Sequence, residues 1–403
     1  MTNDELFRPL DPAFVKDPYP IYESLRTQDP VHQTSSGVWV LTRYEDVAAG
    51  LRDIRLSNIP AAFALVNRRN SERYLAAKVA NGLIAFLDQP DHSRPRSLIA
   101  KACQAHFKGK DKTVRDVADN LLAQLRGKPE IELTGDFSIP FAVGCISRLM
   151  GFPDSDANLL KYWSGMFFYL FHSIPNQTVL AEVNKALFEF GQYLREHVEM
   201  RKRSPRDDLL SNMLSLGSGE DALSEQEVID NVMLLTADGI ENVQAGLSTA
   251  VYTLLNNPDQ LQRVITDHTL INPAIQECLR YESPGQYQGR VALEPIEIRG
   301  KTIMAHSIVL LALASANRDP AAFLEPDRFL VDRTGPSHVA FGLGRHACIG
   351  RMLIGMEFSA ALGSLLDGSR SLAPSKQAVD WTSRAGHRWP ASLMLTNREI
   401  DPA

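Results

Sequence analysis

Cysteine is scarce in this chain: four in 403 residues, at Cys103, Cys145, Cys278 and Cys348, with no C-x-x-C pair among them. Spacing this wide argues against both a disulfide-stapled scaffold and a structural zinc site. No apolar stretch free of charge reaches the roughly 18 residues that a membrane-spanning helix needs. The opening Met-Thr-Asn-Asp-Glu-Leu-Phe lacks the basic and apolar regions of a signal peptide, so a cytoplasmic location without membrane attachment is expected. Long basic tracts are missing as well. With a formal net charge of −6, the chain is not expected to bind nucleic acid. Repeats, low-complexity tracts and linkers are also absent. One mostly helical (α+β) domain over residues 1–403 is expected, with a minor β-rich region drawn from about 31–42, 287–311 and 387–396.

What is present reads in order. Residues 1–30 combine prolines with acidic residues and lead into a short helix ending near Arg26. Val38 to Thr42 is β-branched and aromatic after Gly37, which predicts a strand pair between about Val31 and Thr42, followed by a helix from Tyr44 to about Leu51. Residues 54–84, broken by Pro60, Asn67, Asn70 and Gly82, read as an irregular excursion over a surface or pocket. A turn at 86–96 enters a helix on which His92 and Arg96, four apart, share a face. From about Asp111 to Met213 the period is mostly helical, with breaks at 127–129, 151–153 and 174–176. An aromatic stripe between the last two breaks, Tyr162, Trp163, Phe167, Phe168, Tyr169 and Phe171, reads as core, with a pocket-facing role as the alternative.

Ser224-Glu225-Gln226-Glu227 is a capping box, and about thirty residues of helix follow, long enough to run through the middle of a large domain. Its centre, Asp238-Gly239-Ile240-Glu241-Asn242, places a glycine and three polar side chains in an apolar helix. Buried polar groups are costly unless satisfied, so this break is expected to serve chemistry. Downstream come a helix carrying Glu277 and Arg280, a turn at 283–285, short strands near 287–291, 296–303 and 308–311, proline-punctuated chain at 318–330, a helix from about Arg351 to Leu365 and a last strand near 392–395.

The ten residues Phe341 to Gly350 fit Phe-Gly-x-Gly-x-His-x-Cys-x-Gly. Glycines allow a tight loop, and the helix start that follows favours a deprotonated Cys348 sulfur through its partial positive charge and free N–H groups. Gly342, Gly344 and Ala347 also satisfy the loose dinucleotide pattern G-x-G-x-x-A, but too little chain follows for the βαβ units that fold requires. The loop resembles the haem-binding loop of the cytochrome P-450 family, and Glu277-x-x-Arg280, Asn317-Arg318-Asp319-Pro320 and Pro326-Asp327-Arg328-Phe329 resemble the family's Glu-x-x-Arg helix and the segments that it locks.

The resemblance implies a helical bundle with small sheets around a buried haem b (iron protoporphyrin IX). It implies Cys348 as axial thiolate, and His92, Arg96, Arg290 and His338, with His346 and Phe341 in the loop, around the cofactor. Glu241 takes the acidic position linked to proton delivery, Gly239 the place that leaves room over the iron, and Asn242 stands where the family usually has threonine. Ile354-Gly355 also departs from the family's common Ala-Arg pair. The implied activity is hydroxylation by a haem-thiolate monooxygenase using O2. Electrons would come from a ferredoxin or flavodoxin with its NAD(P)H-dependent reductase, docked on Lys101, Lys108, Lys110, Lys112 and Arg345. Asn242 keeps open an atypical oxidation such as coupling, desaturation or a peroxide-driven reaction, and a haem sensor or carrier without turnover is the remote alternative. Phe168, Phe171, Asp238, Gln286 and Tyr287 are candidate pocket residues. Their mixture suggests a mainly apolar small molecule with some oxygen function, such as a terpenoid, aromatic or polyketide.

Overall fold

The computed structural model describes residues 7–62, 64–171, 174–217, 219–367, 370–375, 377 and 379–399; the first six residues of the proline- and acid-rich lead-in lie outside this set. Its axis is the helix Glu225–Leu255, 31 residues long. Both halves of the expected capping box form: Ser224 Oγ accepts from Glu227 N–H at 3.2 Å, and Glu227 Oε2 accepts from Ser224 N–H at 2.7 Å. The helix has two apolar halves. Val228, Val232, Met233 and Ile240 pack into one core cluster with residues of the helices Leu75–Ala80, Ser93–Phe107, Ile139–Met150 and Gln177–Arg203. Val243, Leu247, Val251 and Leu254 join a second cluster with the helices Asp111–Gln124, Ile271–Tyr281 and Arg351–Leu365. The stretch 238–242 lies where one cluster gives way to the other, and the helix runs through it without a break.

A five-stranded sheet lies beside the helices, in the order Val31–Gln33, Trp39–Leu41, Ile308–Leu311, Gln288–Ala292 and Leu56–Ser57. The first two strands form the expected pair, antiparallel with His32 opposite Val40. Trp39–Leu41 then runs parallel to Ile308–Leu311, and the remaining pairs are antiparallel. This sheet sets Arg290 opposite Val309. The C-terminal strands do not join it: Pro390–Ser392 pairs with Asp380–Trp381, and Met394–Glu399 pairs with Glu130–Glu132 and Arg370–Pro374.

Two other expectations are corrected. Residues 54–84 are not irregular throughout, because Leu75–Ala80 is a helix whose first turn is held by Asn184 Oδ1 accepting from Ala76 N–H at 2.8 Å. The helical stretch from 111 to 213 contains the strand Glu130–Glu132 and a break at 204–208 as well as the expected interruptions. Among the described residues, no helix is long and apolar enough to cross a membrane.

Candidate active site

The loop at 341–350 closes on itself through Cys348 N–H donating to Phe341 O at 2.8 Å. Gly344 has φ +72°, and a Cβ there would lie 2.9 Å from Leu51 O, so only glycine fits. The helix Arg351–Leu365 starts immediately after, and the N–H groups of Gly350 and Arg351 at its start favour the anionic form of the Cys348 sulfur. Burial pushes the Cys348 thiol up to about 11, against the pull of these N–H groups and of Arg96. Yet the residue is exposed by surface area. The two facts agree if the sulfur faces an internal space rather than bulk water. Cys103, Cys145 and Cys278 are buried, with pKa values raised chiefly by burial, which makes them inert core thiols.

Around the loop stands a group of cations. Arg96 donates to Ala347 O, which ties the helix Ser93–Phe107 to the cysteine loop. Arg290 is buried and donates to Gly289 O at 2.8 Å and Gln288 Oε1 at 3.0 Å. His92 and His346 lie ring against ring with centroids 4.2 Å apart. Arg345, expected on a docking surface, instead approaches Asp88 at 3.4 Å. Among the described residues Asp88 is the carboxylate that acts on His92 and Arg290, where Arg345 opposes it, and it lies 4.0 Å from His346 Nε2. Burial first, and Arg345 next, push Arg290 down to about 10; burial and the neighbouring cations push His346 to about 3.

His338 does not belong to this group. Its Nε2 lies 3.2 Å from Gln276 Oε1, its Nδ1 accepts from Ala340 N–H at 3.2 Å, and the charges acting on it are Arg351, Arg280 and Glu277. The side chain packs beside Phe341, ring centroids 5.6 Å apart, and supports the loop. The resemblance placed both histidines around the cofactor because it could not show which way either ring points.

Glu277 and Arg280 form a buried two-point pair at 2.6 and 2.8 Å. Arg280 also donates to Asn317 O, Pro326 O and Arg328 O at 2.9, 2.8 and 3.1 Å, the two segments expected to lock against it. Asn317 Oδ1 accepts from Val339 N–H at 2.8 Å and so passes the connection to the strand of chain entering the cysteine loop. Arg333, which no motif singles out, is a third partner, donating to Glu277 Oε1 at 2.9 Å.

The central stretch of the long helix faces the other side. Gly239 does not point into open space, as a Cβ there would lie 2.7 Å from Ile146 Cδ1; its role is close packing against the helix Ile139–Met150. Glu241 is buried and forms an ion pair with Arg384 Nη1 at 3.5 Å, a partner the sequence did not reveal. Burial raises the Glu241 carboxyl, and Arg384 and Lys161 pull it back. Arg384 lies 5.5 Å from the Phe168 ring, and Phe168 contacts Phe171 with centroids 5.8 Å apart, so the end of the aromatic stripe reaches this polar patch. Asp238 affects the Cys348 thiol electrostatically, and its own carboxyl is pushed up to about 7 by burial and then by Glu241. Asn242 is half-buried on the same helix.

Gln286 and Tyr287 are not pocket residues of the expected kind. Gln286 is buried, with Nε2 donating to Ser283 O at 2.7 Å and N–H donating to Gly386 O at 2.8 Å. Tyr287 packs on Phe7, centroids 5.8 Å apart, in the cluster with Phe14 and Tyr22. A surface cleft of about 1090 Å³ near Tyr19, Trp381 and Arg388 holds none of the residues around Cys348. Its arginines are already engaged, Arg26 with Ser315, Arg318 with Asp327 and Arg388 with Glu282.

A large planar group with one metal and two carboxylates fits this donor set. Cys348 offers a single sulfur beside the half-buried Arg96 and the buried Arg290, the latter only partly balanced by Asp88, and these cations suit anionic groups. The comparisons agree. A family model described as cytochrome P450 matches residues 136–380. The chain is 34% identical over 365 residues to the biotin biosynthesis cytochrome P450 of Bacillus subtilis (strain 168), covering 89% of this chain and 91% of that protein. It is 31% identical over 372 residues to the vitamin D(3) 25-hydroxylase of Pseudonocardia autotrophica, covering 90% and 88%. Among solved structures, P450BioI in complex with hexadec-9Z-enoic acid ligated acyl carrier protein superposes with TM-score 0.87 at 32% identity, over 95% of this chain and 98% of that one. CalO2 superposes with TM-score 0.90 at 27% identity, over 97% and 98%. Motif, fold and relatives converge, and the chain belongs to the cytochrome P450 family of haem-iron monooxygenases.

Proposed function

We propose that this protein binds haem b through Cys348 and hydroxylates a mainly apolar small molecule, taking electrons from a separate ferredoxin or flavodoxin with its NAD(P)H-dependent reductase. The observation that carries the reading is Cys348 in a closed loop at the start of the helix Arg351–Leu365, beside a cationic cluster. When bound, a thiolate-ligated haem activates dioxygen for attack on a C–H bond. The chain's own residues do the rest. Gly350 and Arg351 N–H groups favour the thiolate without neutralising it. Arg290, His92 and His346 would hold the haem carboxylates, while Arg96, bonded to Ala347 O, fixes the loop against them. Glu277 and Arg280 hold the chain that carries the loop.

On the other side, Phe168 and Phe171 wall off water, and Glu241 with Arg384 holds a charge pair at the edge of the apolar space. Relatives named for hydroxylation, a vitamin D(3) 25-hydroxylase and a mycinamicin IV hydroxylase/epoxidase, support hydroxylation of a terpenoid-, aromatic- or polyketide-sized substrate. Asn242 supports a second reading, an atypical oxidation on the same cofactor, because an amide separates its acceptor oxygen from its donor nitrogen. The test is Cys348→Ser. Folded variant protein should lose the carbon monoxide difference band of thiolate-ligated haem, and retention of that band would overturn the assignment.

A further inference from the structure

Hydroxylation, on which this inference rests, balances as substrate C–H plus dioxygen, two electrons and two protons giving product C–O–H plus water. Two protons must therefore reach the reacting oxygen in each turnover. Asn242 is a poor relay for them. At 100° per residue, Asp238, Glu241 and Asn242 fall on one arc of the long helix, so a second acid shares the face that carries the asparagine.

Asp238 differs from Glu241 in its surroundings. The Asp238 side chain has no hydrogen bond or ion pair to Cys348 or to any other described residue, whereas Glu241 is paired with Arg384. Asp238 is only partly covered by surface area yet desolvated, and its charge reaches the Cys348 thiol. The charged group that bears on it is Glu241 from its own helix, on which Arg384 and Lys161 act in turn, and Asp238 itself acts on Cys348 in the loop. Arg384 is 26% exposed on its side chain and Glu241 only 11%, so the arginine is the member of the pair that reaches toward solvent, although its Nη1 on Glu241 is buried. We propose that Asp238 is the proton donor of this site, passing its Oδ proton to the reacting oxygen and recovering one from Glu241, which exchanges with solvent beside Arg384.

Two carboxyls whose environments separate their proton affinities are suited to sequential donation. Asp238, acted on by no cation, is poised at about 7, close to a working pH, while the Glu241 carboxyl is raised by burial and partly pulled back by Arg384 and Lys161.

The experiment uses holoenzyme with Asp238→Asn and Asp238→Glu. Asp238→Asn should keep the thiolate-haem absorption, yet product formed per electron consumed should fall by at least about ten-fold, within the range a lost general acid costs, with peroxide released instead. Asp238→Glu should restore most of the yield. Independently of turnover, and in an Asp230→Asn background that removes the other carboxyl raised to about 7, the infrared band of a protonated carboxyl should titrate near pH 7 and vanish when Asp238→Asn is added. Unchanged coupling in Asp238→Asn, or an infrared titration that survives the substitution, overturns the proposal. If Asp238→Asn fails to hold haem, the infrared titration and the yield of Asp238→Glu decide it. A wild-type chain without the thiolate-haem absorption overturns the monooxygenase reading and this proposal together, an outcome that spectrum alone identifies.

Discussion

Asp230 sits in the second turn of the long helix, 5% exposed, with Gln226 Nε2 donating to its Oδ1 at 2.8 Å. Burial, the largest influence, raises its carboxyl from 3.8 to about 7. A group with a raised folded pKa binds its proton more tightly folded than unfolded. Its contribution to stability is therefore fully present below the unfolded value and lost as pH climbs to about 7. Asp230→Asn should remove that component. Denaturant midpoints measured between about pH 4 and about pH 8 should fall more steeply with rising pH in the wild type than in the variant, and parallel profiles would contradict the assignment. Nothing in the local sequence marks Asp230, because its proton affinity comes from what covers it. Cys348 is the opposite case: its glycines and the helix that follows are close along the chain, so the tight loop and helix start around it were readable directly.

At the level of elements, Glu277, Arg280 and Arg333 show what motif spacing carries. The Glu-x-x-Arg pair sits on adjacent turns of one helix, so its contact follows from helical period. Arg333 reaches Glu277 from 56 residues away, and no spacing rule selects it. Arg280→Ala would leave Glu277 buried beside Arg333 alone and strip donors from three backbone carbonyls. Breaking a buried pair of this kind costs about 3–5 kcal/mol, which denaturant unfolding would register; a loss below about 1 kcal/mol would show the network to be dispensable. The 31-residue helix was legible because its capping box and apolar period are local signals. The six-residue helix Leu75–Ala80 was not, since its ordering depends on Asn184 and on packing against distant chain.

Over the whole molecule, the net charge of −6 hides a local arrangement that the sequence could not resolve. Of the five cations expected to form a docking face, Lys110 pairs with Asp207 and Lys112 with Asp116, each at 2.7 Å, and Arg345 turns toward Asp88. Lys101 and Lys108 remain exposed, with no ion pair among the described residues, on and just after the helix that carries Arg96. Lys108→Glu should slow reduction by an acidic ferredoxin several-fold at low ionic strength, and Lys112→Glu much less, in stopped-flow traces. Equal rates for wild type and Lys108→Glu would remove this face as a docking site.

The sequence by itself determined whatever depends on neighbours along the chain: the thiolate loop, the capped central helix, the Glu277–Arg280 pair and the hairpin at 31–41. The tertiary structure decided which side chains meet across long separations. It put His346 rather than His338 in the cationic cluster, turned Gly239 against Ile146, drew Gln286 and Tyr287 into the packing, and set Arg384 on Glu241. The physical reason is range. Helical period and glycine geometry act over a few residues, whereas burial, charge pairing and the direction of a side chain are set by segments that only folding brings together.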